Sequence, residues 1–167
     1  MSQKELELAV KAAMVAGKEI LAVYNQENIE VEVKGDNSPL TKADKAAHAV
    51  IAEMLTETNL PLLSEEGKEI PFAERKSWER FWLVDPLDGT KEFISRNGEF
   101  TVNIALIEKG EPVLGVVYVP VLDELFFGTK NDGGFHLTDA ARYAQSLEAI
   151  FENAVSLPKV KTDETYK

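Results

Sequence analysis

A chain of 167 residues, 44% of them apolar, has enough hydrophobic material for one domain with a buried core and too little for two. Acidic residues number 29 against 18 basic ones, and the net charge of −11 argues against binding a nucleic acid polymer. Cysteine is absent, which excludes disulfides, thiolate metal sites and a cysteine nucleophile and fits a reducing, cytoplasmic setting; no apolar run is long enough to span a membrane.

From Leu6 to Tyr24, Leu6, Val10, Ala13, Gly17, Leu21 and Tyr24 recur at steps of three and four, which predicts an amphipathic helix. Ile29 to Val33 alternates weakly, as a short strand does, and Lys34 to Pro39 is rich in turn formers and reads as an exposed, mobile loop. Thr41 then offers an N-cap, with Asp44 three residues on and Ala47, Ile51 and Leu55 along one helical face. Leu60 to Leu63 predicts a short strand ending at Ser64-Glu65-Glu66, and Pro71 can open a brief helix through about Lys76.

Phe81 to Val84 predicts a strand that runs into Asp85 and stops at Pro86. Beyond it, Phe100 to Ile107, Pro112 to Val119 and Glu124 to Phe127 are rich in Val, Ile, Phe and Tyr and read as an antiparallel meander. Asn131 to Gly134 is a turn, and Thr138 to about Ala154 returns to helical spacing. The expected fold is α+β: a layered sandwich with two helices packed on a largely antiparallel sheet. Residues 1–155 are expected to form this domain, and 156–167 to be a disordered tail or the start of a further one.

The chemistry concentrates in Asp85-Pro86-Leu87-Asp88-Gly89-Thr90. Two carboxylates across a tight turn, a glycine that lets the backbone approach a ligand, and a helix start at Thr90 suit a divalent cation beside a phosphate. The same string also makes an ordinary turn. Glu65, at the end of another predicted strand, adds a third carboxylate if the two strand ends share one edge. Neither His48 nor His136 is needed for this chemistry, and Trp82, Phe93 and Phe100 read as core.

Three segments together resemble the inositol monophosphatase superfamily: Leu63-Ser64-Glu65-Glu66, Trp82 through Ile94, and Asn97 through Leu106. Thr90-Lys91-Glu92-Phe93 and Asn97-Gly98-Glu99-Phe100 are most similar to its CysQ-type 3′(2′),5′-bisphosphate nucleotidases. The resemblance implies a phosphomonoesterase that uses two or three Mg²⁺ ions, is inhibited by Li⁺, and hydrolyses adenosine 3′,5′-bisphosphate to AMP and phosphate with a metal-activated water. An inositol or sugar monophosphatase, or a non-catalytic domain that binds metal and phosphate, are the alternatives.

Carried onto these positions, the resemblance implies that Glu65, Asp85 and the Leu87 carbonyl bind a first Mg²⁺, and Asp85 with Asp88 a second. The amides of Gly89 and Thr90 would bind phosphate. Asp44 would orient the Thr90 hydroxyl, which with Glu65 would activate water, while Lys34 and Asp36 would lie in a closing loop. Asp44 can instead, or as well, complete a capping box with Thr41, and Lys91 suits either substrate phosphate or an ion pair with Glu92 or Glu99. Family members are longer, and a Trp-Asp-x-Ala-Ala segment in their second half completes the second metal site. Asp139-Ala140-Ala141 is the nearest string here, without the tryptophan. The chain is therefore expected to be truncated, weakly active or inactive, and able to form homo-oligomers through an uncovered apolar face.

Overall fold

The computed structural model describes residues 3–27, 30–33 and 39–158. Helix α1 (Gln3–Tyr24) is followed by a small hairpin of β1 (Val31–Val33) and β2 (Pro39–Thr41), then by helix α2 (Lys42–Leu55). Strand β3 (Leu62–Ser64), the short helix α3 (Phe72–Arg75) and strand β4 (Arg80–Asp88) lead to helix α4 (Thr90–Ser95). Strands β5 (Thr101–Glu108), β6 (Glu111–Val119), β7 (Glu124–Thr129) and β8 (Gly133–Leu137) follow, then helix α5 (Leu147–Asn153) and strand β9 (Val155–Ser156).

Seven strands form one sheet in chain order from β3 to β9. Among the described residues only β3 and β4 run parallel; every other pair in this sheet is antiparallel, as the predicted meander requires. The α+β reading holds. Alternation within the strands sends Trp82, Val84, Val102, Ile104, Leu106, Leu114, Val116, Leu125 and Phe127 to one face, where they are buried. There α1 packs over β5, β6 and β7, and α2 packs over β3 and β4.

The apolar stripe of α1 is wider than its sequence spacing suggests. Ala9, Ala12, Ala16 and Ile20 are fully buried beside Leu6, Val10, Ala13 and Gly17, whereas Leu21 and Tyr24 are only half-buried. Gly17 sits where the helix meets β6: a Cβ there would lie 2.3 Å from the Tyr118 ring. The small residues let helix and sheet approach closely.

Two predicted elements differ. Strand β4 does not stop at Pro86 but continues to Asp88. The predicted late helix is two pieces, a 3₁₀ turn at Ala140–Tyr143 and α5, because Ser146 starts afresh as an N-cap that accepts from Ala149 N at 3.2 Å. At the far edge of the sheet β9 pairs with β8, and Leu157 N donates to Gly134 O at 2.8 Å. Lys34 and Asp36, and with them the expected closing loop, lie outside the described residues, as do residues 159–167 of the expected tail.

The opposite face of the sheet carries no helix among the described residues. Leu83 and Val117 remain 43% and 37% exposed there, around an open hollow of about 540 Å³ that also borders Leu63, Ala105, Asn103 and Asp85.

Candidate active site

Backbone pairing brings the two acidic strand ends together. Ser64 is paired with Val84, and Glu65 N donates to Val84 O at 3.0 Å, so Glu65 emerges beside Asp85. The two stretches meet at the same edge, as two parallel strands entering in register must.

The second carboxylate of the motif is brought in by a bulge. Asp85 is paired with Asn103 and Asp88 with Thr101, so three steps along β4 match two along β5. In a regular strand, residues three apart point to opposite faces. One extra residue restores the parity, and Asp85 and Asp88 share the open face with Leu83 while Pro86 and Leu87 are buried. This is why the strand tolerates Pro86: a bulge leaves a backbone position without a ladder partner, so the missing N–H costs nothing there.

Gly89 follows with φ +97, a left-handed conformation, and a Cβ on it would come within 2.9 Å of Glu99 O. Both facts require glycine. Helix α4 then starts at Thr90 and is pinned by Phe93, which is fully buried against Tyr24 and Phe100 with ring centroids at 5.2 and 5.3 Å. Arg96 ends α4 in a left-handed conformation and donates to the carbonyls of Tyr24, the last residue of α1, and of Gln26 just beyond it.

Asp44 does both jobs open to it. Thr41 N donates to Asp44 Oδ2 at 2.8 Å and Thr41 Oγ1 to the same oxygen at 2.5 Å, while Ala43 N donates to Thr41 Oγ1 at 3.1 Å. That completes the capping box. The other oxygen, Oδ1, accepts from Thr90 Oγ1 at 3.1 Å. The same hydroxyl lies 3.4 Å from Leu87 O, which places the Leu87 carbonyl beside Thr90. Asp44 itself is fully buried.

Asp85 is the most perturbed carboxyl in the group. Burial, the charge of Glu65, a hydrogen bond with the Glu65 side chain and the charge of Asp88 together push it up to about 7, against a small opposing pull from the Leu87 backbone. Its Oδ1 is buried without a hydrogen-bond partner among the described residues. A buried carboxylate oxygen with no donor, crowded by two further carboxyl groups, is an arrangement that a hard divalent cation relieves. The residues therefore fit Mg²⁺.

Among the described residues, no three His, Asp or Glu side chains converge as a single ready-made cluster. The acids meet in pairs, Glu65 with Asp85 and Asp85 with Asp88. Asp88 accepts from Asn103 Nδ2 at 3.1 Å. Pairwise contacts suit cations held between two carboxylates and a carbonyl rather than within a cage of three.

Lys91 is exposed on the first turn of α4, and Glu65 and Asp88 are exposed as well. His48, one turn beyond Asp44 on α2, has Nδ1 2.9 Å from Ser64 Oγ, so it ties α2 to the strand end that bears Glu65. His136 stacks on Phe126 at 4.3 Å, away from this edge. Asn103 stands outside the expected set of site residues. Its signal is the alternation of β5: a polar amide between buried Val102 and Ile104 points to the same face as Asp85.

Comparison with known proteins decides the family. Residues 1–163 match the inositol monophosphatase family. The chain belongs to that family. A 3′(2′),5′-bisphosphate nucleotidase CysQ of Salmonella typhimurium is 53% identical over 128 residues, covering 75% of this chain and 52% of that protein. Its counterpart in Haemophilus influenzae is 42% identical over 125 residues. The crystal structure of CysQ from Bacteroides thetaiotaomicron, described as a bacterial member of the inositol monophosphatase family, superposes with a TM-score of 0.79 at 43% identity, over 97% of this chain and 60% of that one. The chain spans about half the length of the curated relatives it matches. No helix among the described residues is long and apolar enough to cross a membrane.

Proposed function

We propose that this domain is the metal- and phosphate-binding part of a Mg²⁺-dependent phosphomonoesterase, and that its substrate is a 3′,5′-bisphosphorylated nucleoside such as adenosine 3′,5′-bisphosphate. The observation that carries the reading is Asp85, whose carboxyl is pushed up by burial and by Glu65 and Asp88 and whose buried Oδ1 has no hydrogen-bond partner among the described residues, next to the Asp44–Thr90 hydrogen bond. Glu65, Asp85 and the Leu87 carbonyl would hold one Mg²⁺, and Asp85 with Asp88 another. Cations there neutralise phosphate oxygens and acidify water, chemistry that no side chain of this site supplies alone.

The chain's own groups position the reactants. Asp44 accepts the Thr90 proton, so the lone pairs of the Thr90 oxygen stay free to take a hydrogen bond from water. Thr90 and Glu65 then order that water in line with the ester bond that breaks. The Gly89 and Thr90 amides meet the phosphate, which Gly89 lets approach because no Cβ stands in the way. Lys91, exposed on the first turn of α4, would meet a further phosphate of the substrate. The nucleotidase reading rests on relatives that are 53% and 52% identical and carry that name. A cysteine-free sequence suits a cytoplasmic enzyme.

A second reading, binding of metal and phosphate without turnover, is favoured by the exposure of Glu65 and Asp88 on an open sheet face, since phosphoryl chemistry profits from excluded water. The test is phosphate release from adenosine 3′,5′-bisphosphate and from inositol 1-phosphate, with and without Mg²⁺. Slow Mg²⁺-dependent release, greater on the nucleotide, inhibited by Li⁺ and lost in Asp85→Asn, is the expected result. Release that ignores Mg²⁺ or Asp85→Asn overturns the site. Mg²⁺-dependent phosphate binding without release supports the second reading.

A further inference from the structure

Resting on the reading of Asp85 and Asp88 as cation ligands, we infer that Asn103, held by Thr101, is a positioning residue that aims the Asp88 carboxylate. The bulge in β4 sets Asp85 opposite Asn103 and Asp88 opposite Thr101, so all four side chains share the open face of the sheet. Asn103 Nδ2 reaches diagonally to Asp88 Oδ2 at 3.1 Å. Thr101 Oγ1 donates to Asn103 Oδ1 at 3.2 Å, which assigns the amide orientation and turns its N–H₂ toward Asp88.

The consequence is chemical as well as geometric. One oxygen of Asp88 is occupied by a neutral donor and the other is left for a cation, so Asp88 acts as a one-oxygen ligand. Mg²⁺ has strict octahedral demands and suits such single-oxygen contacts better than a chelating carboxylate. Asn103 also supplies a positive dipole end beside Asp88, which offsets part of the repulsion between Asp85 and Asp88 without competing for the ion. An asparagine between Val102 and Ile104 is a poor choice for strand formation alone. A hydrogen-bonded partner one step removed from the metal commonly changes affinity by about 10–100-fold.

The test is Mn²⁺ binding, since Mn²⁺ takes the same oxygen ligands, measured by calorimetry and electron paramagnetic resonance on the whole chain and on Asn103→Ala, Thr101→Val, the double variant and Asp85→Asn. Thermal midpoints are recorded without metal. The expected result is a loss of affinity of about ten-fold or more in Asn103→Ala, a smaller loss in Thr101→Val, and a double variant no weaker than Asn103→Ala, with metal-free midpoints near that of the parent.

Affinity unchanged in Asn103→Ala while Asp85→Asn abolishes binding overturns the inference and leaves the metal reading standing. A parent chain that fails to bind Mn²⁺, or binding that survives Asp85→Asn, removes the metal reading and the inference with it. If Asn103→Ala lowers the midpoint as well, Thr101→Val decides: native affinity at a native midpoint overturns the inference, and weakened affinity sustains it.

Discussion

Asp44 and Thr90 lie 46 residues apart in the chain and meet through one hydrogen bond of 3.1 Å, made by the carboxylate oxygen that the helix cap leaves over. The other oxygen is already committed to Thr41. A single buried side chain thus fixes the start of α2 and the start of α4 against each other. The geometry of the site depends on an interaction that also stabilises the fold.

That double duty separates two substitutions. Thr41→Ala removes only the cap and should cost about 1 kcal/mol. Asp44→Ala leaves the Thr41 amide and the Thr90 hydroxyl without their acceptor, and should cost about 2–3 kcal/mol. Urea denaturation of the two variants checks the order. Equal losses would mean that the Thr90 contact contributes nothing to stability.

Asp85 makes the opposite prediction. Its carboxyl is raised to about 7 in the folded chain against 3.8 as the reference, so between those values the native state holds more protons than the unfolded one. The contribution of Asp85 to stability without metal therefore falls as pH rises from about 4 to 7 and levels off above. Mg²⁺ requires the carboxylate, so the thermal shift it produces should be larger at pH 8 than at pH 5. Thermal melts at several pH values, with Mg²⁺ and with a chelator, read both slopes.

Asp85→Asn should raise the metal-free melting temperature at pH 8, because the charge that burial and Glu65 oppose is gone. The same variant should lose the Mg²⁺-induced shift. Gain of stability with loss of binding is the expected signature of a group kept for function.

At Gly17 two effects compete. Glycine inside a helix costs roughly 1 kcal/mol relative to alanine, so Gly17→Ala should stabilise α1 taken alone. Yet the added Cβ would stand 2.3 Å from Tyr118 Cε1, and Tyr118 cannot swing away freely because its hydroxyl donates to Asp123 Oδ1 at 2.9 Å. Overpacking costs about 1–3 kcal/mol, so net destabilisation is expected. A higher unfolding midpoint for Gly17→Ala would show that the ring moves.

Much of this was legible in the residues. Thr41 and Asp44 announce a capping box, and the box is there. The Val- and Ile-rich runs after Phe100 announce a meander, and β5, β6 and β7 form it. Such features are local, and periodicity and capping are local rules. What escaped was set by pairing. Pro86 reads as a stop because its ring ends most strands, and only the register against Asn103 and Thr101 shows a bulge that carries β4 through to Asp88. Asn103 is one polar letter in an apolar strand until β4 is laid beside it. Thr138 to Ala154 has helical spacing throughout, but Ser146 competes for the backbone and divides it.

The most direct measurement is anomalous diffraction from crystals of this chain soaked in Mn²⁺. Peaks between Glu65 and Asp85 beside the Leu87 carbonyl, and between Asp85 and Asp88, are the predicted result. Well-ordered carboxylates with no peak at this edge of the sheet, or Mn²⁺ bound only elsewhere, would contradict it.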